Sequence, residues 1–178
     1  MKKFKRTLSL LLCLIMVACL VPMTAFAEES EPEKYNVWVA GTQVTSTNAA
    51  DILGNGEASY VAATNTLTVS KDITATDADA IKATTTDDFK VVIAKSVTLS
   101  AVKGDGINVS GNLNVTIDEN CRLAINASDA GINADGNITI VGGELDITTN
   151  DYHGICAVYG SVDLTVKEIS VETERTAI

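Results

Sequence analysis

Four short segments of this chain align with one another at near-constant spacing. They are Ala80-Ile81-Lys82-Ala83, Gly106-Ile107-Asn108-Val109, Gly131-Ile132-Asn133-Ala134 and Gly154-Ile155-Cys156-Ala157, with a fifth opening at Ala177-Ile178. Their isoleucines stand 26, 25, 23 and 23 residues apart. A fixed period of this size marks a stacked repeat, in which each unit covers its neighbour's apolar face. Each period holds two further alternating runs. One set is Phe89–Ile93, Leu113–Ile117, Ile138–Ile140 and Val162–Val166; the other is Val97–Leu99, Leu123–Ile125, Leu145–Ile147 and Ile169–Val171. All alternate apolar with polar residues, the period-two pattern of a half-buried strand. They are rich in Ile, Val and Thr, which suit a pleated surface.

Short turns separate the runs. Gly111-Asn112, Gly136-Asn137 and Gly160-Ser161 follow the first strands, where glycine can adopt positive φ at little cost. Asp118-Glu119-Asn120 and Val141-Gly142-Gly143 separate second from third strands. Strands this short cannot cover their apolar faces within one period. Coiling solves this, because each strand then pairs in parallel with its equivalent one period later, about 4.8 Å away. The pattern predicts an all-β, right-handed parallel β-helix of about four coils over residues 72–178, three strands per coil, rising roughly 19 Å. Ile81, Ile107, Ile132 and Ile155 form one inward stack in this reading. An antiparallel sandwich would fit the strand density but not the aligned isoleucines.

The first 27 residues are organised differently. Lys2, Lys3, Lys5 and Arg6 precede an apolar run from Leu8 to Leu20 and then Ala25-Phe26-Ala27. A basic start, an apolar segment and an A-x-A site together mark a secretory signal peptide, with cleavage after Ala27. An uncleaved anchor helix, or a lipoprotein site at Cys19, fits less well. The expectation is a secreted chain found at the cell surface, with no membrane insertion after cleavage. Cleavage leaves nine basic against 23 acidic residues, a net charge of 9 − 23 = −14. That balance excludes a nucleic-acid partner, which requires a basic face. Cys121 and Cys156 remain, on different faces and two turns apart. A disulfide needs Cα atoms within about 7 Å, so both are expected as free thiols.

Residues 28–34 form an acidic leader. Residues 35–71 alternate without joining the repeat, and read as an N-terminal β cap in which Trp38, Tyr60 and Leu67 cover the first coil. A solenoid needs such a cap, because its first coil otherwise exposes strand edges and core. Ile178 has the phase of Ile155, so the sequence stops inside a coil. The expectation is a fragment of a longer β-helix, with any wall anchor lying further on.

The block Tyr35 to Thr45, followed by Tyr60 and Thr64 to Val69, and the coil Gly136 to Ile147 reading Gly-Asn-Ile-Thr-Ile-x-Gly-Gly-x-Leu-x-Ile, carry a resemblance. The chain resembles secreted surface proteins of Gram-positive, clostridia-like bacteria. These are labelled as carrying carbohydrate-binding domains with a pectate-lyase-like β-helix. The resemblance spans nearly all of residues 28–178. It implies a β-helix, export, and binding of a polysaccharide or cell-surface glycan.

The residues offer little catalytic chemistry. His153 is the only histidine and lies at a coil corner. No CxxC, HExxH, P-loop or dinucleotide motif is present. Pectate-lyase chemistry would need clustered carboxylates with an Arg or Lys base. Residues 28–178 hold two arginines, Arg122, read as pairing outward with Asp146 one coil later, and Arg175. The expected function is therefore non-catalytic. Two surfaces stand out. Asn108 and Asn133 share an outward position, with Lys82 and Cys156 on either side and Tyr152 and Tyr159 at the end of the strip. This is the candidate glycan-facing surface; an amide ladder with solvated tyrosines is the plainer reading. Asp77, Asp79, Asp105, Asp129 and Asp151 precede first strands and could stack into a Ca²⁺ site, since Ca²⁺ takes six to eight oxygens. The plainer reading is that Asp is a good turn residue. Against the carbohydrate-binding function stands a structural or adhesive spacer, in which the β-helix is a rigid stalk.

Overall fold

The computed structural model describes residues 31–150 and 153–174. The signal segment lies outside the described residues, as do Asp151 and Tyr152. Among the described residues no helix is long and apolar enough to cross a membrane.

The chain is a parallel β-solenoid of about four turns. Its first face is built from β6 (Ile81–Ala83), β9 (Ile107–Val109), β11 (Ile132–Ala134) and β13 (Ile155–Ala157), joined in parallel. Ile81, Ile107, Ile132 and Ile155 are register partners along this ladder. The first three are fully buried and Ile155 is half-buried. Each fully buried isoleucine contributes about 1.5–3 kcal/mol of apolar transfer energy.

The second and third faces are made differently from the sequence expectation. β7 (Phe89–Ile93) and β8 (Val97–Ala101) are separate strands, one on each face. In the next coils the two runs fuse into β10 (Leu113–Ala127), β12 (Ile138–Thr149) and β14 (Val162–Thr173). β10 pairs with β7 through its first part and with β8 through its second. The corner is turned inside the strand by a register irregularity. Four residues, Asp118 to Cys121, stand in β10 where Gly143 alone stands in β12 and Lys167 alone in β14. A bulge bends a strand without ending its pairing, so the corner needs no break.

Glycines at two other corners serve a purpose different from the expected one. Gly111, Gly136 and Gly160 do not adopt positive φ. Instead a Cβ on Gly136 would stand 2.4 Å from Asn112 Oδ1, and one on Gly160 would stand 2.4 Å from the Gly136 carbonyl oxygen. Backbones of successive coils approach too closely there for any side chain. The residue after each glycine stitches the coils. Asn137 N–H donates to Asn112 Oδ1 at 2.8 Å and Ser161 N–H donates to Asn137 Oδ1 at 2.9 Å. At the opposite end of the first face, a Cβ on Gly131 would stand 2.3 Å from Ile147 Cγ2.

The N-terminal region supplies antiparallel pairing. β1 (Lys34–Val39) runs antiparallel to β6 and continues through a tight turn at Ala40-Gly41, both at positive φ, into β2 (Thr42–Thr45). β3 (Ala58–Val61) lies antiparallel to β4 (Thr66–Val69), and a 3₁₀ turn at Ala62–Thr64 joins them. β4 and β5 (Ile73–Ala75) already pair in parallel with β7 and β8. Val37, Val39, Val44, Ile52 and Leu67 point into the core, and the Tyr35 and Tyr60 rings pack 5.4 Å apart. The last described coil is less covered. Val162, Leu164, Ile169 and Val171 are 38% to 44% exposed, although their register partners in β12 are buried.

Candidate functional site

Alternation in short parallel strands decides which side chains reach the outside of the first face. In β1 the inward residues are Val37 and Val39, so Trp38 between them is turned outward and half-buried. Trp38 therefore does not cover the first coil, contrary to the sequence expectation; Val37 and Val39 do. The Val-Trp-Val alternation carried the signal. The register then aligns Gln43, Trp38, Lys82, Asn108, Asn133 and Cys156 in one outward row, crossing the sheet from β2 to β13.

Asn108 and Asn133 are thus side by side, with Lys82 and Cys156 flanking them. Both amides also turn to one carboxylate. Asn108 Nδ2 donates to Asp105 Oδ2 at 2.8 Å, and the Asn133 side chain hydrogen-bonds Asp105 as well. Tyr159 lies two residues beyond β13 and is 88% exposed, with its N–H held by the Asp135 carbonyl at 2.9 Å. Tyr152, expected beside it, lies outside the described residues. Cys121 and Cys156 are free and half-buried.

The four described aspartates, Asp77, Asp79, Asp105 and Asp129, do not form one cluster. The aligned corner positions are Asp79, Asp105, Ala130 and His153, each one residue before the segment that opens a first strand. Asp79 Oδ1 accepts the Asp105 N–H at 2.9 Å, and Asp105 Oδ1 accepts the Ala130 N–H at 2.9 Å. Each carboxylate therefore caps the corner of the next coil. Asp129 is one position out of this stack, its N–H donating to the Gly104 carbonyl. Asp77 is exposed and pairs with Lys103 at 2.6 Å. Asp151 lies outside the described residues. Among the described residues no group of three or more His, Cys, Asp or Glu is placed to hold a metal ion.

Asp105 is buried, and desolvation raises its pKa above the ordinary 3.8. The neighbouring Asp79 and Asp129 charges push it up further, while the Ala130 N–H and the Asn133 side chain oppose the rise. A carboxyl raised on folding binds its proton more tightly in the folded state. Its contribution is fully present below the unfolded pKa and is lost as pH rises through the folded pKa. Urea unfolding of the wild type and Asp105→Asn, repeated across the acidic-to-neutral range, should show the wild type losing stability relative to the variant as pH rises. A constant difference across that range would contradict the assignment.

On the outer surface Arg122 forms an ion pair with Asp146, as the sequence suggested, but by a different route. The register partner of Arg122 is Glu144, so the guanidinium reaches diagonally to Asp146. Glu144 is taken from the other side by Lys167 at 3.2 Å. Exposed pairs of this kind are worth under about 1 kcal/mol.

No protein-family model, curated protein or solved structure matches the chain.

Proposed function

We propose that this is a secreted, non-catalytic carbohydrate-binding protein of the cell surface, whose glycan-facing surface is the outer side of the first β-solenoid face. The observation that carries this reading is the outward row Trp38, Lys82, Asn108 and Asn133, held at the regular spacing of the strands. An aromatic face beside donors and acceptors at fixed intervals suits a repeating polyol, which offers apolar C–H faces and hydroxyls in turn. The exposed ring of Tyr159 extends the same chemistry past the other end of the row. Export is supported by the basic, apolar and A-x-A order of Met1 to Ala27.

A spacer role is the second reading. It is favoured by the engagement of Asn108 and Asn133 with Asp105, which makes them internal stitching as well as surface. A glycan array covering neutral, acidic and amino sugars, run with and without Ca²⁺, separates the two. Carbohydrate binding predicts saturable signals that weaken in Tyr159→Ala or Asn133→Ala. A blank array in both conditions would leave the spacer.

A further inference from the structure

Trp38 stands in the outward row between Gln43 and Lys82, and a cleft of about 640 Å³ opens beside it. Trp38, Asp77, Asp79, Lys82, Thr84 and Lys103 line this cleft. Its volume falls within the range of small-molecule clefts, about 300–1,000 Å³. Each lysine stands near one aspartate. Lys103 Nζ lies 2.6 Å from Asp77 Oδ1, and Lys82 Nζ lies 4.0 Å from Asp79 Oδ2. The two cations and two carboxylates cancel, so the lining carries no net charge, and Gly41, Ala78 and the indole add apolar surface to it. Asp79 is also fixed from behind, because its other oxygen accepts the Asp105 N–H.

We propose that this cleft seats a neutral hexopyranose unit of a glycan, with the C–H face of the ring against the indole of Trp38. The proposal rests on the carbohydrate-binding reading and narrows it to one site and one class of sugar. A pyranose ring joins an apolar face to a rim of hydroxyls that both donate and accept. The cleft offers the complement of each. The indole is a large, flat, electron-rich surface. The lysines donate, the carboxylates accept, and the Thr84 hydroxyl does both. A uronate would fit poorly. Its carboxylate would have to displace Asp77 or Asp79 from a lysine, on a chain whose residues 28–178 already carry 9 − 23 = −14.

Trp38 is the only tryptophan in the chain, so its emission reports on this cleft alone. The test is titration of the purified protein with gluco-, manno- and galacto-hexaoses, and with a galacturonate hexamer of equal length. A saturable change in tryptophan emission is expected with a neutral hexaose and not with the galacturonate. Calorimetry should show Trp38→Ala weakening that binding by about tenfold or more, through loss of the stacking surface. Lys82→Ala and Thr84→Ala keep the indole and should weaken binding as well. Their unfolding midpoints, measured alongside, guard against an effect on folding. Neutral-sugar binding at full strength in Trp38→Ala, or binding to the wild type that leaves its tryptophan emission unchanged, would overturn the proposal while leaving the carbohydrate function standing. So would a preference for the galacturonate. A blank glycan array would overturn both.

Discussion

Ile132→Asp should abolish cooperative folding, or cost roughly 3 kcal/mol or more where folding survives. Ile132 is fully buried, with Ile107 and Ile155 as its register partners on either side. A carboxylate at this position has neither solvent nor a cation within the stack. In a globular core the damage would spread to a shell of neighbours. In a stacked repeat it falls on the contacts of one coil with the two beside it, and those contacts hold the array together. Ile132→Val, which removes one methylene, should cost about 0.5–1.5 kcal/mol. Urea unfolding followed by far-ultraviolet circular dichroism measures both. A cooperative transition for Ile132→Asp at the wild-type midpoint would mean that the isoleucine stack is not the core.

The second large effect is expected at a corner. Gly142 has φ of +107°, and a Cβ there would stand 1.8 Å from the carbonyl oxygen of Ile117, its register partner in β10. The obstacle is backbone within a paired ladder, so it cannot move aside as a side-chain tip would. Gly142→Ala should therefore destabilise by roughly 2–5 kcal/mol, combining backbone strain with separation of two coils. Gly54 isolates the two contributions. It also has positive φ, at +79°, but a Cβ there would meet nothing within 4 Å. Gly54→Ala should show the conformational part alone, about 1–2 kcal/mol. Equal losses at the two sites, read from denaturation midpoints, would remove steric contact from the explanation.

The ladders were legible in the sequence because parallel stacking repeats one apolar alternation at one phase. The aligned isoleucines fixed the first face. Leu113 with Ile138 and Leu123 with Leu145 fall into the register that their alternating runs imply. The corners were less legible. Alternation is silent about whether a chain breaks or bends between two runs, so the fusion of two expected strands into β10 left no mark in it. The corner glycines were visible, but not their reason. Close approach of two coils is a property of the stack, whereas positive φ is a property of one residue. Asp129 stands one position away from the stack of Asp79 and Asp105, because distance from the next strand is a looser guide than ladder register. Asp77 sits two residues before Asp79, and its partner Lys103 comes from the following coil. Trp38 was seen but turned the wrong way. Its size argued for burial, while Val37 and Val39 had already filled the inward positions.

The direction of the hydrogen bonds has a mechanical consequence. Bonds between successive coils point along the direction in which the coils stack. A pull along that direction loads the bonds of one coil at its edge, and they part in turn. A pull across it would load a whole ladder in shear. Each coil freed by the first route releases 23 to 26 residues. Drawn out, that is roughly 75–95 Å of chain, at 3.3–3.6 Å per residue. A solenoid built this way yields in small steps and absorbs work with each one.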